Sequence, residues 1–200
     1  MMLIRIGFIV FILFLTGCQQ KSEKHLQEAR LNYLVGQVIV NNQAGKIGQN
    51  LPEGSTITTG DESLAEIKIG LYSGTQLREQ SDAQIVLTQS GYEIIATRGA
   101  MLNLVRKGQT YLHRGPVAVI AVRGTIFYVN CYNDSVQYIC TCNGTIGISD
   151  GNGADKLISG THHNPYLVTK SDTGIVFKPD VMKEHDDIEI FEFMYRTERI

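Results

Sequence analysis

The chain has 200 residues, with 18 Lys and Arg against 20 Asp and Glu, which gives a formal net charge of −2 at neutral pH. This balance, without any basic block, argues against a nucleic-acid partner. The 20 Gly and only 4 Pro, among many Val, Ile and Thr, exclude a Pro-rich disordered chain. They favour one β-rich domain of short strands and tight turns, long enough to bury a core without disulfide staples.

The first 17 residues have the pattern of a secretory signal. Arg5 supplies the early positive charge, an apolar run extends from Ile6 to Leu15, and small residues then lead to Cys18. The apolar run is shorter than the about 20 residues that a membrane-spanning helix needs. The string Leu15-Thr16-Gly17-Cys18 resembles the lipobox of bacterial lipoproteins. That resemblance implies cleavage before Cys18 and acylation of this residue by a fatty acid such as palmitate.

The lipobox resemblance places the mature protein in the cell envelope, held to a membrane by its lipid. Gln19 follows Cys18, where an Asp would act as an inner-membrane retention signal. In a Gram-negative source this favours the outer membrane, with the protein facing the periplasm. The alternatives are an ordinary cleaved signal or an uncleaved anchor, with Cys18 a coincidence.

Three segments follow the signal. Residues 18–33 are expected to form a lipidated tether, and its polar part, residues 19–30, is expected to be weakly ordered. Residues 34–150 contain short strand-like runs punctuated by Gly, which predicts a mainly β domain built as a sandwich or roll. Residues 151–200 form a C-terminal extension with short strands and a final helix. The predicted strands are 37–41, 55–59, 64–71, 76–78, 84–88, 92–97, 101–106, 117–131, 136–142, 144–149, 157–159, 166–170 and 174–177.

The final helix is predicted over residues 186–199 and is expected to pack on the β domain. Asp186 and Glu189 have the spacing of a capping box, which predicts the start of the helix. We expect Ile188, Phe191 and Tyr195 to face the sheet, because they recur at spacings of three and four. The full apolar stripe contains Ile188, Ile190, Phe191, Met194 and Tyr195.

The string Val122-Arg123-Gly124-Thr125-Ile126-Phe127 follows an apolar run, 116–122, that is typical of a strand covered on both faces. This string resembles the VRGT-x-F signature of the FecR domain. Weaker elements of the family occur upstream in the right order, and the resemblance covers about residues 34–150. Those elements are Gly36-Gln37-Val38, Leu51-Pro52-Glu53-Gly54, Ile57-Thr58-Thr59-Gly60, Ser63-Leu64-Ala65-Glu66-Ile67 and Ser73-Gly74-Thr75-Gln76-Leu77.

The FecR resemblance implies an exported all-β domain that acts in recognition or signalling rather than catalysis. In the best-known members the domain receives a signal from an outer-membrane receptor, and a cytoplasmic segment passes it to a sigma factor. This sequence contains no such segment, so direct control of a sigma factor is not expected.

The motif residues Arg123, Gly124, Thr125 and Phe127 also have a physical interpretation. A Gly inside an apolar strand predicts a bulge or a close backbone contact at Gly124. Arg123 would need a carboxylate or carbonyl partner if it were buried. The motif therefore supports either fold-stabilising hydrogen bonds or a ligand site.

Residues suited to binding a metal occur late in the chain: Cys140, Cys142, His162, His163 and His185. Thiolate and imidazole ligands suit Zn²⁺ or another borderline-soft ion such as iron, and two Cys with two His fill a tetrahedral shell. Cys140 and Cys142 would share one face of a strand, whereas His162 and His163 would face opposite sides. We therefore predict a centre formed by both Cys, His185 and one of the two adjacent His, pinning the terminal helix onto the sheet.

Three other interpretations of these residues remain open. Cys140 and Cys142 could be buried as small apolar side chains, and His162-His163 could be a polar loop. Cys131 could form a disulfide, since an odd number of Cys remains once Cys18 is lipidated. A regular hairpin turning at residues 133–135 would pair Cys131 near residues 136–137, which leaves Cys140 beyond the about 7 Å limit for a bridge.

No G-x-S-x-G, H-E-x-x-H or phosphate-binding Gly-Lys-Ser/Thr motif occurs, so the sequence does not predict an enzyme. The predicted function is that of an envelope lipoprotein with a FecR-like domain, a sensor or scaffold for a partner protein or an envelope polymer. The alternative is a metal-binding or redox protein that uses the Cys/His cluster.

Overall fold

The computed structural model describes residues 28–89, 91–151 and 155–198. The predicted signal, Cys18 and most of the predicted tether lie outside the described residues, as does Arg199 at the predicted end of the helix.

Fifteen β-strands and one α-helix form the described part of the chain, which confirms the predicted mainly β class with a C-terminal helix. The strands are β1 (Ala29–Val35), β2 (Val38–Val40), β3 (Gln43–Ala44), β4 (Thr56–Thr59), β5 (Leu64–Ile69), β6 (Ser73–Leu77), β7 (Asp82–Leu87), β8 (Gly91–Val105), β9 (Thr110–Arg114), β10 (Val119–Val122), β11 (Thr125–Asn133), β12 (Val136–Ser149), β13 (Asp155–Gly160), β14 (Asn164–Ser171) and β15 (Gly174–Pro179). The helix is α1 (Asp187–Glu198).

Two sheets share the long strands β8 and β12, as in a roll. The first half of β12 pairs with β11 and β14, and its second half, from Gly144, pairs with β10 and β13. Gly144 has a φ of +111°, a conformation that glycine adopts at little cost, and so allows the strand to turn from one sheet to the other. We call the sheet that contains β1, β5, β6, β11, β14 and β15 the helix-side sheet, and the other the second sheet.

The main core lies between the two sheets, and a smaller cluster lies under α1. Alternation along β11 separates them, since Phe127 and Val129 belong to the main core whereas Tyr128 belongs to the cluster under the helix. The helix-side sheet is thus buried on both faces. Strand β12, which carries Cys140 and Cys142, contributes residues to both clusters.

The helix starts where the sequence predicts but presents a different face to the sheet. The Glu189 N–H donates to Asp186 Oδ1 at 2.9 Å, as expected of an N-cap. The expectation that Ile188, Phe191 and Tyr195 face the sheet is wrong, because they are 69%, 68% and 54% exposed. The buried helix residues are instead Ile190, Phe193 and Thr197.

Ion pairs with the sheet fix this rotation of the helix. Residues 188, 191 and 195 have the same spacing as 190, 193 and 197, so periodicity alone cannot choose between the two faces. Arg78 forms an ion pair with Glu189, and Arg196 contacts the buried Glu66. These pairs hold Ile190 and Phe193 against the sheet.

Two further expectations from the sequence are wrong. The expected tether is not weakly ordered throughout, because β1 starts at Ala29, pairs with β5 and buries Leu31. The apolar run before the motif is not covered on both faces, because Ala121 in β10 is exposed between the buried Ile120 and Val122.

The motif residues form the corner between β10 and β11, so the predicted strand 117–131 is divided there. Gly124 has a φ of +101°, and a Cβ on it would lie 2.5 Å from the Cα of Lys107, which confirms the predicted close backbone contact. Thr125 Oγ1 donates to the carbonyl of Thr145 at 2.9 Å, and Phe127 is fully buried. Arg123 is exposed. These contacts give Gly124, Thr125 and Phe127 a role in the fold.

Candidate metal centre

Cys140 and Cys142 lie on β12 with their side chains in the cluster under α1. On the partner strand β11, Ile126 is opposite Asn143 and Phe127 is opposite Thr141, so Cys142 is the extra residue of a β-bulge. Bulges bend a strand locally and re-aim side chains. Both thiols are buried, with residue exposures of 0% and 5%.

The two histidines come from irregular segments on either side of this strand. His163 lies in the turn before β14 with a φ of +41°, and its backbone N–H donates to the carbonyl of Cys142 at 3.3 Å. His185 lies just before the N-cap of α1 and follows Glu184, whose φ is +67°. Left-handed backbone at non-glycine residues is strained and persists where surrounding contacts enforce it.

The four side chains converge on one point. Cys142 Sγ lies 3.4 Å from His185 Nε2, and Cys140 Sγ lies 3.7 Å from His163 Nδ1. The two imidazole nitrogens are 3.2 Å apart, and all four ligand atoms lie within 4.8 Å of one another. Tetrahedral bonds of about 2.0–2.3 Å place ligand atoms about 3.3–3.8 Å apart. The group Cys140, Cys142, His163 and His185 could therefore hold a metal ion.

Each imidazole makes the outer hydrogen bond that orients a metal ligand. His163 Nε2 lies 3.0 Å from Asp187 Oδ1, and His185 Nδ1 lies 2.9 Å from the carbonyl of Lys183. Both partners are acceptors. A backbone carbonyl oxygen can only accept, and the hydrogen bonds from His162 and His163 hold the pKa of the Asp187 carboxyl below its usual value, which keeps it ionised. The outer nitrogens therefore carry the protons, an assignment that follows from the hydrogen bonds. The inner nitrogens, His163 Nδ1 and His185 Nε2, point toward each other and toward the two sulfurs.

The thiols differ in how readily they ionise. A side-chain hydrogen bond between the two thiols, helped by His185 and His163, lowers the pKa of the Cys140 thiol below its usual value. The same bond, with burial, raises the pKa of Cys142. Burial lowers the pKa of His163, but the Cys140 and Asp187 contacts outweigh it and raise the value overall. The cluster thus favours the thiolate form of Cys140, the form of Cys that binds metals.

His162 does not join the four ligands. Its side chain is 69% exposed, and its Nε2 lies 2.9 Å from Asp187 Oδ2. The expectation that His162 and His163 face opposite sides of a strand is wrong, since they precede β14 and both contact Asp187. The tight turn directs both rings toward the start of α1.

Cys131 and His113 form a separate buried pair in the main core. All three Cys of the described residues are free thiols, and Cys131 pairs opposite Gln137 as the hairpin argument predicts. His113 lies in β9, with its Nε2 3.9 Å from Cys131 Sγ. Burial raises the pKa of Cys131 to about 12 and lowers that of His113 to about 3. Both groups are therefore neutral at physiological pH.

Sequence reasoning missed Tyr128 and the orienting role of Asp187. The Tyr128 ring stacks on His185 with centroids 4.4 Å apart, and the Arg78 guanidinium lies over it, 5.6 Å from its centroid. In the sequence, Asp187 directly follows the predicted capping residue Asp186. Its position two residues after a predicted ligand was a usable signal, because metal-bound His residues commonly donate to a carboxylate.

A cleft of about 430 Å³ lies beside the centre, on the far side of Tyr128. In its wall the Glu184 carboxylate accepts hydrogen bonds from Tyr128 at 3.2 Å, Asn130 at 2.8 Å and Tyr132 at 2.6 Å. These bonds enforce the left-handed conformation of Glu184 and so direct the next residue, His185, into the cluster.

Comparison with protein-family models and with curated proteins finds no match for this chain. Within the described ranges, no helix is both long and apolar enough to span a membrane. The chemistry of the Cys/His cluster is therefore the main guide to function.

Proposed function

We propose that this protein is a non-enzymatic, metal-binding protein in which Cys140, Cys142, His163 and His185 hold one Zn²⁺. The observation that carries the proposal is the convergence of two sulfurs and two imidazole nitrogens, all within 4.8 Å of one another, with each imidazole oriented by an outer hydrogen bond. Zn²⁺ is favoured over iron because two sulfurs and two nitrogens around one point suit its tetrahedral preference.

The proposed role of the ion is structural. All four positions of the shell are filled by protein side chains, whereas a catalytic zinc keeps one position for water or substrate. Cys140, Cys142 and His185 are also buried and His163 is half-buried, which limits the access of a substrate to the ion. The ion would connect three segments distant in sequence: strand β12, the turn before β14, and the segment that leads into α1.

The wider role that we propose is recognition at the cell envelope by a FecR-like lipoprotein anchored through Cys18. The mainly β architecture and the motif corner at Gly124 and Thr125 support the family resemblance. The exposed apolar face of α1, formed by Ile188, Phe191 and Tyr195, supports binding of a partner protein or an envelope polymer. If Cys18 is lipidated, Cys18→Ser should release the protein from the membrane fraction, and normal fractionation of this variant would contradict the anchor.

Elemental analysis of the purified protein tests the metal proposal. We expect one Zn²⁺ per chain, and we expect Cys140→Ser with Cys142→Ser, or His163→Ala alone, to abolish stoichiometric binding. Two matched controls lie outside the shell: Cys131→Ser and His162→Ala should both retain the metal. A wild-type chain that takes up no metal from a Zn²⁺-containing buffer would refute the proposal. Stoichiometric iron with the same dependence on these residues would correct the identity of the ion.

A further inference from the structure

The start of α1 is joined to the proposed centre twice. His185, two residues before the helix, is itself a ligand, and Asp187, the first residue of α1, accepts a hydrogen bond from the ligand His163 at 3.0 Å. The second oxygen of the same carboxylate lies 2.9 Å from His162. Any movement of the first helical turn therefore changes the position or orientation of two of the four ligands.

Asp187 is not required as the helix cap. The N-cap contact is made by Asp186, whose Oδ1 accepts from the Glu189 N–H at 2.9 Å. The Asp187 carboxylate instead contacts the two His of the turn before β14. Because a carboxylate bonded to the outer nitrogen of a metal-bound His fixes the orientation of the ring, Asp187 directs His163 Nδ1 at the proposed ion.

The rest of α1 is held to the sheet by a small set of contacts. Its large buried side chains are Ile190 and Phe193. Glu189 pairs with Arg78, directly after β6, and Arg196 pairs with Glu66 in β5. The segment before it contains the left-handed Glu184, and the turn before β14 contains the left-handed His163. Two strained residues thus flank the junction that the ion would stabilise.

We infer, on the basis of the proposed function, that Asp187 is a positioning residue that couples occupancy of the metal centre to docking of α1. Binding of the ion holds the helix on the sheet, and removal of the ion loosens it. Coupling of this kind is reciprocal, so contacts of the helix far from the ion must also strengthen metal binding. The metal thereby controls whether the sheet face under α1, which includes Leu102 and Tyr138, is covered.

Metal affinity of the full purified chain, measured by competition with a chromophoric chelator, tests the role of Asp187. Asp187→Ala should weaken Zn²⁺ binding about 10- to 100-fold, the usual effect of losing an orienting carboxylate. Asp187→Asn, which keeps a neutral acceptor, should restore part of that loss. The matched control is Glu192→Ala, which removes an equal charge from the exposed face of the same helix. It should leave affinity unchanged.

The visible spectrum of the Co²⁺-substituted protein supplies a readout that helix stability alone does not move. Asp187→Ala should shift the ligand-field bands, because the orientation of His163 changes, whereas Glu192→Ala should not. Zinc binding by Asp187→Ala as tight as in the wild type, with an unchanged Co²⁺ spectrum, would overturn the positioning role.

Amide hydrogen exchange before and after chelation tests the coupling itself. We expect the protection of the α1 amides to fall at least about tenfold when the metal is removed, while β4 and β7 of the second sheet retain theirs. Phe193→Ala should in turn weaken metal binding. A chain that binds Zn²⁺ through the four ligands but shows equal α1 protection with and without it refutes the coupling and leaves the proposed function standing. A chain that binds no metal refutes both.

Discussion

Removal of the Arg196 side chain should undock the C-terminal helix. Glu66 is 1% exposed, and Arg196 binds its carboxylate with Nε 2.9 Å from both oxygens and Nη2 2.7 Å from Oε1. The Gln76 side chain donates a further hydrogen bond to Glu66 at 3.0 Å. Arg196→Met keeps the apolar stem but leaves a buried carboxylate with no cation. Breaking a buried pair in this way costs about 3–5 kcal/mol.

The free energy of helix docking decides whether this cost destabilises the whole fold or only releases α1 from the sheet. The helix buries Ile190 and Phe193, and each such side chain contributes about 1.5–3 kcal/mol. Their sum, about 3–6 kcal/mol, is close to the cost of the unpaired Glu66. Undocking of α1 exposes the Glu66 carboxylate to water, so it removes the cost of the buried unpaired charge at a similar cost in lost helix packing. We expect α1 to lose protection while the second sheet stays folded.

Hydrogen exchange and urea unfolding, monitored on the same variants, test this expectation. The double variant Glu66→Gln with Arg196→Met should regain α1 protection, because neither a charge nor a cation is then buried alone. Arg30→Met is the matched control, since Arg30 and Glu28 form an exposed pair worth less than about 1 kcal/mol. Native-like α1 protection in Arg196→Met, or no recovery in the double variant, would refute the reasoning.

Two other predictions concern helix packing and pH. Phe193→Ala should cost about 3–5 kcal/mol of unfolding free energy, because Phe193 is 1% exposed. Phe191→Ala, on the exposed face, should cost no more than about 0.5 kcal/mol. Equal losses for the two variants in urea unfolding would contradict the observed helix face. Burial lowers the pKa of His113 from its usual 6.5 to about 3, so between these values the unfolded chain binds a proton that the native state does not. The free energy of unfolding should therefore decrease as the pH is lowered from about 6.5 to about 3, by up to about 1.4 kcal/mol per pH unit from this residue. His113→Gln should remove that part of the slope in pH-dependent unfolding.

The sequence predicted which residue types form the candidate metal centre, but it did not predict which of the two adjacent histidines belongs to it. Two Cys at i and i+2 on a strand must share a face, so their convergence followed from strand geometry. The choice of His163 over His162 depended on a turn with left-handed backbone at His163, which sequence periodicity does not reveal. The bulge at Cys142 is a property of pairing with β11 and was likewise invisible in β12 alone.

The sequence by itself determined the mainly β class, most strand positions and the N-cap of α1, because these depend on local propensity, alternation and capping residues. Only the tertiary structure decided which face of α1 is buried. Two sets of helix residues have equal spacing, and the ion pairs of Glu189 with Arg78 and of Arg196 with Glu66 select one of them. The tertiary structure also decided that residues from Ala29 onward belong to a sheet, because the partner of β1 is β5, and Ala29 pairs with the distant Ile69. Long-range pairing of this kind leaves no periodic trace in the sequence.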